Sequence, residues 1–218
     1  MGSTVLPDKG PRKPAREGMA FRRQPCINGS VPAEARATKP LIPTGVLGML
    51  IFVLTEMMFF FGLISAFVIV KASAPFGWPP PDQPRLPVEI TAINSAALVL
   101  SGIALYWAHR RFKEREASAK LPFLLAIALG AAFVLVQGGE WAALIGQGLT
   151  ITSGPLGGFF YLIVGCHAAH AIAAILALGW AFGKLLKGRL EAPAFWTVQT
   201  FWYFVVGIWP LLYVEVYL

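Results

Sequence analysis

Long apolar stretches alternate with short polar segments along most of this chain. Five stretches are long enough to cross a membrane as helices, each of which needs roughly 20 apolar residues: 45–70, 90–108, 121–145, 158–183 and 195–217. The pattern therefore predicts an all-α protein, a polytopic membrane bundle of five transmembrane helices. An odd number of helices places the two termini on opposite sides of the membrane.

The composition agrees with a membrane protein. Hydrophobic residues make up 56% of the 218 residues and charged residues only 13%, which is too apolar for a soluble domain of this length. The net charge of +7 can be explained by membrane topology and anionic lipid headgroups. Because basic and aromatic residues do not interleave, no nucleic-acid partner is expected.

The positions of Lys and Arg predict the orientation of the chain. Eight lie in residues 1–43, five in 109–120 and three in 184–194, which together make sixteen of the eighteen. The other two, Lys71 and Arg85, lie in or beside the opposite set of loops. By the positive-inside rule, the N-terminus is expected in the cytoplasm and the C-terminus outside.

The first 43 residues differ from the rest in composition. They are rich in proline and charge and contain no apolar segment of the kind that a secretory signal has. Such a sequence cannot bury enough apolar surface to offset its chain entropy. We predict a disordered, basic cytoplasmic tail at 1–43 and a five-helix transmembrane domain at 44–218.

The connection between the first two predicted helices is rich in proline. It contains Trp78, Pro79, Pro80 and Pro81 in succession, and proline fixes φ and removes a hydrogen-bond donor, so the segment is expected to be stiff and extended. Two interpretations are equally open. The segment is either a docking surface for a partner on the outer side or an interfacial tryptophan anchor followed by a rigid connector.

Four ionisable side chains fall inside the apolar stretches: Glu56, Glu140, His167 and His170. Ionisable residues in a membrane are functional candidates because lipid cannot solvate them. Glu56 lies near the middle of the first helix, about 17 Å from its cytoplasmic end at about 1.5 Å per residue. It is either a proton-linked acid or a side chain satisfied by a neighbouring helix, and the surrounding aromatic residues favour the functional role.

The two histidines lie three residues apart and project from about the same face of the fourth helix. Glu140 and His167 are expected at a similar depth, because the third helix runs outward and the fourth returns. Two imidazoles on one face cannot ligate both sides of a haem, and a metal site needs three or four converging ligands. We therefore favour a metal-free cluster in which carboxylates and imidazoles satisfy one another and hold the helices together.

Four segments, in their order and spacing, resemble subunit III of the haem-copper cytochrome c oxidases. The match extends over 44–218 and is to the short, five-helix bacterial form. The segments are Thr55-Glu56-Met57-Met58-Phe59-Phe60 with the loop Trp78-Pro79-Pro80-Pro81, Gln137-Gly138-Gly139-Glu140-Trp141, Tyr161-Leu162-Ile163-Val164-Gly165-Cys166-His167-Ala168-Ala169-His170, and the aromatic C-terminal helix.

The resemblance implies a multi-pass subunit of a terminal oxidase in a bacterial cytoplasmic membrane. Its partners would be the catalytic subunit I, a copper or cytochrome subunit II, and membrane lipids including bound phospholipid. Haem and copper would belong to those partners, and no redox centre or catalytic residue is expected on this chain. Its function would be to stabilise subunit I during oxygen reduction with proton pumping, to bind lipid and to support proton uptake.

The resemblance also carries over to single residues. Glu56 matches the family's intramembrane acid, and Glu140, His167 and His170 match its other buried polar positions. The family's last helix usually reads Trp-His-Phe-Val-Asp, whereas this chain has Trp202-Tyr203-Phe204-Val205-Val206, and Ala168 replaces the usual glycine between the histidines. The loss of a His and an Asp shrinks the expected polar cluster and indicates a divergent branch.

Two other functions stay open at this point. The same fold serves an accessory subunit of nitric oxide reductase, and the catalytic subunit encoded beside this chain would distinguish that role. A stand-alone proton-linked transporter could use Glu56 and the histidines as a relay. The sequence argues against the transporter, because it contains no inverted repeat and no matching pair of broken helices.

Overall fold

The computed structural model describes residues 1–2, 43–74 and 86–217. Within them the chain forms five long α-helices, with a short 3-10 turn at Glu116–Ala119 between the second and the third. The helices are α1 (Thr44–Ala72), α2 (Val88–Glu114), α3 (Lys120–Gly146), α4 (Pro155–Leu186) and α5 (Ala192–Tyr217). All five are long and apolar enough to cross a membrane. The predicted all-α membrane bundle is confirmed.

Two of the predicted features lie outside the described residues. These are the tail, of which only residues 1–2 and 43 are described, and the segment Trp78 to Pro81. The helices themselves extend beyond the apolar stretches that predicted them, most clearly α2, which continues past residue 108 to Glu114. Its last turns contain several Lys and Arg, whose long side chains can reach the polar headgroups while the backbone stays helical.

Helix α5 lies at the centre of the bundle and contacts α1, α2 and α4, whereas α2 packs most extensively on α3. The degree of burial follows this arrangement. Of the 18 consecutive residues with the highest mean hydropathy in each helix, 50% are buried in α5 and 17% in α1. Most of the large apolar side chains of α1 therefore face outward, and Phe60, Ile64 and Phe67 are the exceptions that are buried in the bundle.

A buried tryptophan ties three helices together. The indole Nε1 of Trp202 in α5 donates to Ser101 Oγ of α2 at 3.1 Å, and that hydroxyl donates to the Ala126 carbonyl of α3 at 2.7 Å. Gly130 of α3 makes room for the ring, since a Cβ at this position would lie 2.6 Å from a ring carbon of Trp202. Close approach at a small residue is a common way to pack helices in membranes.

A second buried tryptophan repeats this arrangement nearer the other end of α5. Trp209 Nε1 donates to Ser95 Oγ of α2 at 2.7 Å, and Ser95 donates to the carbonyl of Thr91 at 2.6 Å. The Trp209 ring packs edge-on against Phe133 of α3, with 4.9 Å between centroids. Both indole N–H groups thus find partners inside the bundle, as buried tryptophans usually do.

Candidate functional site

A carboxyl and an imidazole meet halfway along the bundle. Nε2 of His170 lies 3.1 Å from Oε2 of Glu56. Glu56 is the thirteenth residue of the 29 in α1, and His170 is the sixteenth of the 32 in α4, so both lie near the middle of their helices. The side chains are 21% and 18% exposed, respectively. The pair therefore lies halfway along both helices and is partly exposed.

The contacts of His170 indicate which of its ring nitrogens carries a hydrogen. Nδ1 of His170 lies 2.8 Å from the carbonyl oxygen of Cys166, and because a carbonyl can only accept, Nδ1 carries a hydrogen. Nε2 then either donates to an ionised Glu56 or accepts from a protonated one. Both arrangements place one proton between the two side chains and leave the pair with no net charge, which lowers the cost of placing it in apolar surroundings.

Four phenylalanine rings from two helices surround the imidazole of His170. Their ring centroids lie 5.6 to 6.5 Å from that of the imidazole. Phe52 and Phe60 come from α1, and Phe201 and Phe204 come from α5. The rings restrict the imidazole to the side on which Glu56 lies.

The structure does not bring the other two predicted site residues into this pair. His167 is 1% exposed, and neither of its ring nitrogens has a hydrogen-bond partner in the described part of the chain. Glu140 is partly buried on α3. A single cluster of two carboxylates and two imidazoles is therefore not formed, and Glu140 does not bond to His167.

Several polar residues that hold the bundle together were missed in the sequence. Asn94 Nδ2 donates to the Phe133 carbonyl at 3.0 Å, and Gln137 Nε2 donates to the Tyr217 hydroxyl at 3.0 Å. A signal for the α2 group was present in the sequence, because its polar and small residues recur at helical spacing along one face. That stripe consists of Thr91, Asn94, Ser95, Ser101 and Gly102, and Leu98 lies between them on the same face.

A shallow apolar groove runs beside the pair, between α1 and α5. Its volume is about 290 Å³, and its lining includes Met57 and Phe61 from α1 and Phe204, Gly207 and Leu211 from α5. The lining is almost entirely hydrocarbon and aromatic. It suits a flexible apolar chain better than a polar ligand.

The described residues contain no group of three or more His, Cys, Asp or Glu side chains placed to hold a metal ion. His109, the third histidine, lies in α2 against the rings of Phe195 and Trp196, with centroid distances of 5.1 and 5.6 Å. It is therefore separated from His167 and His170 by aromatic packing. The three imidazoles therefore do not converge on one site.

Comparisons with known proteins give a consistent result. The family model described as cytochrome c oxidase subunit III matches residues 35–218. Proteins named cytochrome c oxidase subunit 3 from Tragelaphus oryx and Hippopotamus amphibius are each 31% identical over 188 residues, which cover 82% of this chain and 71% of the relative. The one from Tragelaphus imberbis is 31% identical over 179 residues, covering 78% and 67%. The chain belongs to the cytochrome c oxidase subunit III family.

As a subunit III, the chain is a membrane-embedded part of a haem-copper oxidase complex. The two positions at which it departs from the usual last helix have local roles. The Tyr203 hydroxyl accepts from Gln199 Nε2 of the same helix at 2.6 Å. Val206 covers Gly102 of α2, where an added Cβ would lie 3.3 Å from a Val206 methyl group. In this subunit III the Tyr203 hydroxyl therefore bonds within α5 and Val206 packs on α2, and neither contact involves Glu56 or His170.

Proposed function

We propose that this subunit III is a non-redox auxiliary subunit that stabilises the catalytic subunit I of a terminal oxidase, holds phospholipid and supports proton uptake. The observation that carries the proposal is the Glu56–His170 pair. With Nδ1 of His170 bonded to the Cys166 carbonyl, the two side chains can share one proton, and both are partly exposed halfway along their helices. A copper or cytochrome subunit II would be the further partner, and haem and copper would be held by subunits I and II.

The surroundings of the pair favour support of a neighbour over transport by this chain alone. A transporter needs polar groups that lead from the site to both membrane faces. Here the imidazole is surrounded by phenylalanine rings from α1 and α5. The pair can therefore exchange its proton on its exposed side, where a neighbouring subunit would lie, more readily than through the bundle.

The exposed surface of α1 supports the proposal that this subunit binds both a partner subunit and lipid. Four of its 29 residues are buried within the chain, so most of its apolar surface is available to a neighbour. The groove between α1 and α5 has room for part of an acyl chain. A lipid held there would lie between this subunit and whatever protein packs on α1.

The central test replaces Glu56 with glutamine in the assembled complex. The amide keeps much of the local hydrogen bonding but cannot give or take a proton at this position. We expect Glu56→Gln to retain most of the initial oxygen-reduction rate, with weaker proton uptake at higher pH or a faster loss of activity during turnover. Oxygen consumption and proton release are measured in reconstituted vesicles over a pH series.

Glu140→Gln is the matched control for this test, because Glu140 lies in another apolar helix and does not pair with a histidine. We expect its complex to behave as the unchanged one does. Complete loss of turnover by a correctly assembled Glu56→Gln complex would show that the residue is essential to the chemistry and would overturn the auxiliary role.

A second test concerns cofactors. We expect the purified chain to show no Soret absorbance and to bind less than one transition-metal ion per chain, because its histidines do not converge with other ligands. Optical spectra and elemental analysis measure both quantities. Stoichiometric copper, iron or zinc that disappears in His167→Ala would contradict the non-redox proposal.

We further propose that the protein lies in a bacterial cytoplasmic membrane with its N-terminus in the cytoplasm. The helix ends and connections at 109–120 and 184–194 contain five and three Lys and Arg, respectively, whereas the connection 147–154 contains no charged residue. Ammonium groups also lie over tryptophan rings near the basic ends of the helices, at 5.3 Å for Lys113 and Trp196 and 4.1 Å for Lys184 and Trp180. Such anchors are typical of the membrane interface.

Tags at the two ends of the chain test the orientation. A tag after residue 2 should be protected from a membrane-impermeant reagent in intact cells, and one after Leu218 should be labelled, because the basic connections are retained on the cytoplasmic side. Labelling after permeabilisation shows that both tags are present. The reverse pattern in intact cells would contradict the proposed topology.

A further inference from the structure

Three shallow recesses lie next to one another along the exposed face of α5. The first lies on α2, and its lining includes Tyr106 and Arg110. The second lies between α2 and α5 and shares Tyr106 with the first. The third is the apolar groove between α1 and α5 described above, and it shares Tyr203 with the second. Together they form one continuous track, the α5 groove, which leads from the basic end of α2 to the apolar surface of α1.

The basic end of the α5 groove has a surplus of positive charge. Arg110 and Arg111 line it, and Glu114 is the one carboxylate beside them. The ammonium group of Lys113 lies close by, 5.3 Å from the ring centre of Trp196, which lines the second recess. Among the residues that the structure describes, no ion pair within 4 Å joins these charged side chains. Three cations and one anion therefore leave two positive charges for an anionic ligand.

The middle of the groove presents two hydroxyl groups that can donate outward. The Tyr106 hydroxyl accepts from Arg110 at 3.2 Å, and the Tyr203 hydroxyl accepts from Gln199 at 2.6 Å. Each oxygen is thus used as an acceptor, while its own hydrogen is left for another partner. Tyr106 precedes Arg110 by one helical turn, so it lies about 6 Å deeper in the membrane. This depth suits the ester carbonyls of a phospholipid, which are acceptors on the hydrocarbon side of its phosphate.

The far part of the groove is apolar and open. No atom lies within 4 Å of a Cβ added at Gly207, so the backbone of α5 forms a low floor there. Met57 and Phe61 of α1 flank this floor, and Leu211 of α5 ends it. From Trp196 to Leu211 the helix rises about 22 Å. One leaflet contributes about half of a hydrocarbon core of about 30 Å, so the groove is long enough for a headgroup and most of an acyl chain.

We propose that the α5 groove binds one anionic phospholipid from the leaflet at the basic end of the bundle. Its phosphate lies against Arg110 and Arg111, and one acyl chain crosses Tyr203 and Gly207 toward α1. Positive charge, hydroxyl donors and hydrocarbon follow one another along the groove in the order of phosphate, ester carbonyls and acyl chain along the lipid. The surplus charge favours a lipid with a net negative charge over a zwitterionic one, which brings its own cation to the same place.

This inference rests on the lipid-binding part of the proposed function, and it adds the class of lipid and the position of its headgroup. The test uses the assembled complex in vesicles that contain a phosphatidylglycerol with a photoactivatable diazirine on its acyl chain. Matched vesicles contain the corresponding phosphatidylcholine. Crosslinked peptides are identified by mass spectrometry. We expect phosphatidylglycerol to label α5 around Gly207 and α1 around Met57, and phosphatidylcholine to label them several times more weakly.

The double variant Arg110→Gln with Arg111→Gln should lower labelling by phosphatidylglycerol about tenfold, because each basic side chain contributes to holding an anionic headgroup. Lys187→Gln with Arg189→Gln is the matched control. It removes the same charge from exposed residues at the same end of the bundle, and neither residue lines the groove. Its labelling should equal that of the unchanged complex.

Gly207→Phe tests the path of the acyl chain, because the ring fills the open floor and leaves both arginines in place. Labelling around Met57 should be lost. Gly179→Phe is its control, since Gly179 is an exposed glycine of α4 with equally open space at an added Cβ. If a variant fails to assemble, the comparison of the two lipids on the unchanged complex decides the question.

The outcomes separate this inference from the broader proposal. Equal labelling of the groove by the two lipids, or labelling that does not change when both arginines are replaced, would overturn the anionic site and leave lipid binding by the subunit intact. A groove that neither lipid labels would overturn both, because a protein partner or another ligand would then cover this face.

Discussion

Gly130→Leu is expected to leave little folded subunit. The side chain would occupy the space of the Trp202 ring, where even a Cβ would lie 2.6 Å from a ring carbon. The ring is fully buried and its N–H is bonded to Ser101, so it cannot move without breaking contacts among α2, α3 and α5. Overpacking and the lost hydrogen bond together should cost about 2–4 kcal/mol.

The measurements for Gly130→Leu are the yield of monodisperse protein in detergent and its thermal unfolding temperature. Gly139→Leu is the matched control, because Gly139 lies in the same helix, is exposed, and has no atom within 4 Å of an added Cβ. It should behave like the unchanged chain. An equal loss of yield and of unfolding temperature in the two variants would show that the cost comes from placing any large side chain on α3 and not from the clash with Trp202.

His170→Leu is expected to destabilise the subunit more than the removal of both members of the Glu56–His170 pair. The single variant leaves the Glu56 carboxyl without its imidazole partner among phenylalanine rings, and an unsatisfied group of this kind costs about 1–3 kcal/mol. Replacing both residues with leucine leaves no polar atom to satisfy, so most of the stability should return. Unfolding of the four chains in a double-mutant cycle measures the coupling.

The control for this cycle combines His170→Leu with Glu140→Leu. Glu140 does not pair with His170, so the two changes should be additive, as is usual for groups without a shared contact. Additive behaviour of Glu56→Leu and His170→Leu as well would contradict the pairing seen in the structure. It would also weaken the proposal that these residues share a proton.

The five helices could be predicted because each apolar stretch is long enough to span a membrane, and few alternatives satisfy the backbone there. The partner of each ionisable residue could not be predicted from the sequence. Depth along the membrane can be counted from the sequence, and it correctly suggested that Glu56 lies near the middle. The rotation of each helix about its own axis cannot be predicted in this way. These helices are apolar on nearly all faces, so their sequences give little indication of which face points into the bundle.

The positions of Glu140 and His167 illustrate that limit. A similar depth suggested that they belong to one cluster, yet rotation of α3 turns Gln137 into the bundle and leaves Glu140 partly buried. His170 pairs instead with α1, a helix far away in the sequence. The hydrogen bonds to Trp202 and Trp209 were equally hard to foresee, because the serines that accept them are common small residues in membrane helices.

The position of Trp202 and Trp209 on the fifth helix has a consequence for biogenesis. Helices α1 to α4 enter the membrane first, and during that time the space above Gly130 and the hydroxyls of Ser95 and Ser101 lack the indoles that later cover them. The extensive contact between α2 and α3 can form early, but the core closes only when α5 arrives. A chain that lacked α5 would therefore leave these serine hydroxyls and the surface at Gly130 uncovered, so we expect the last helix to complete the fold rather than to dock on a finished one.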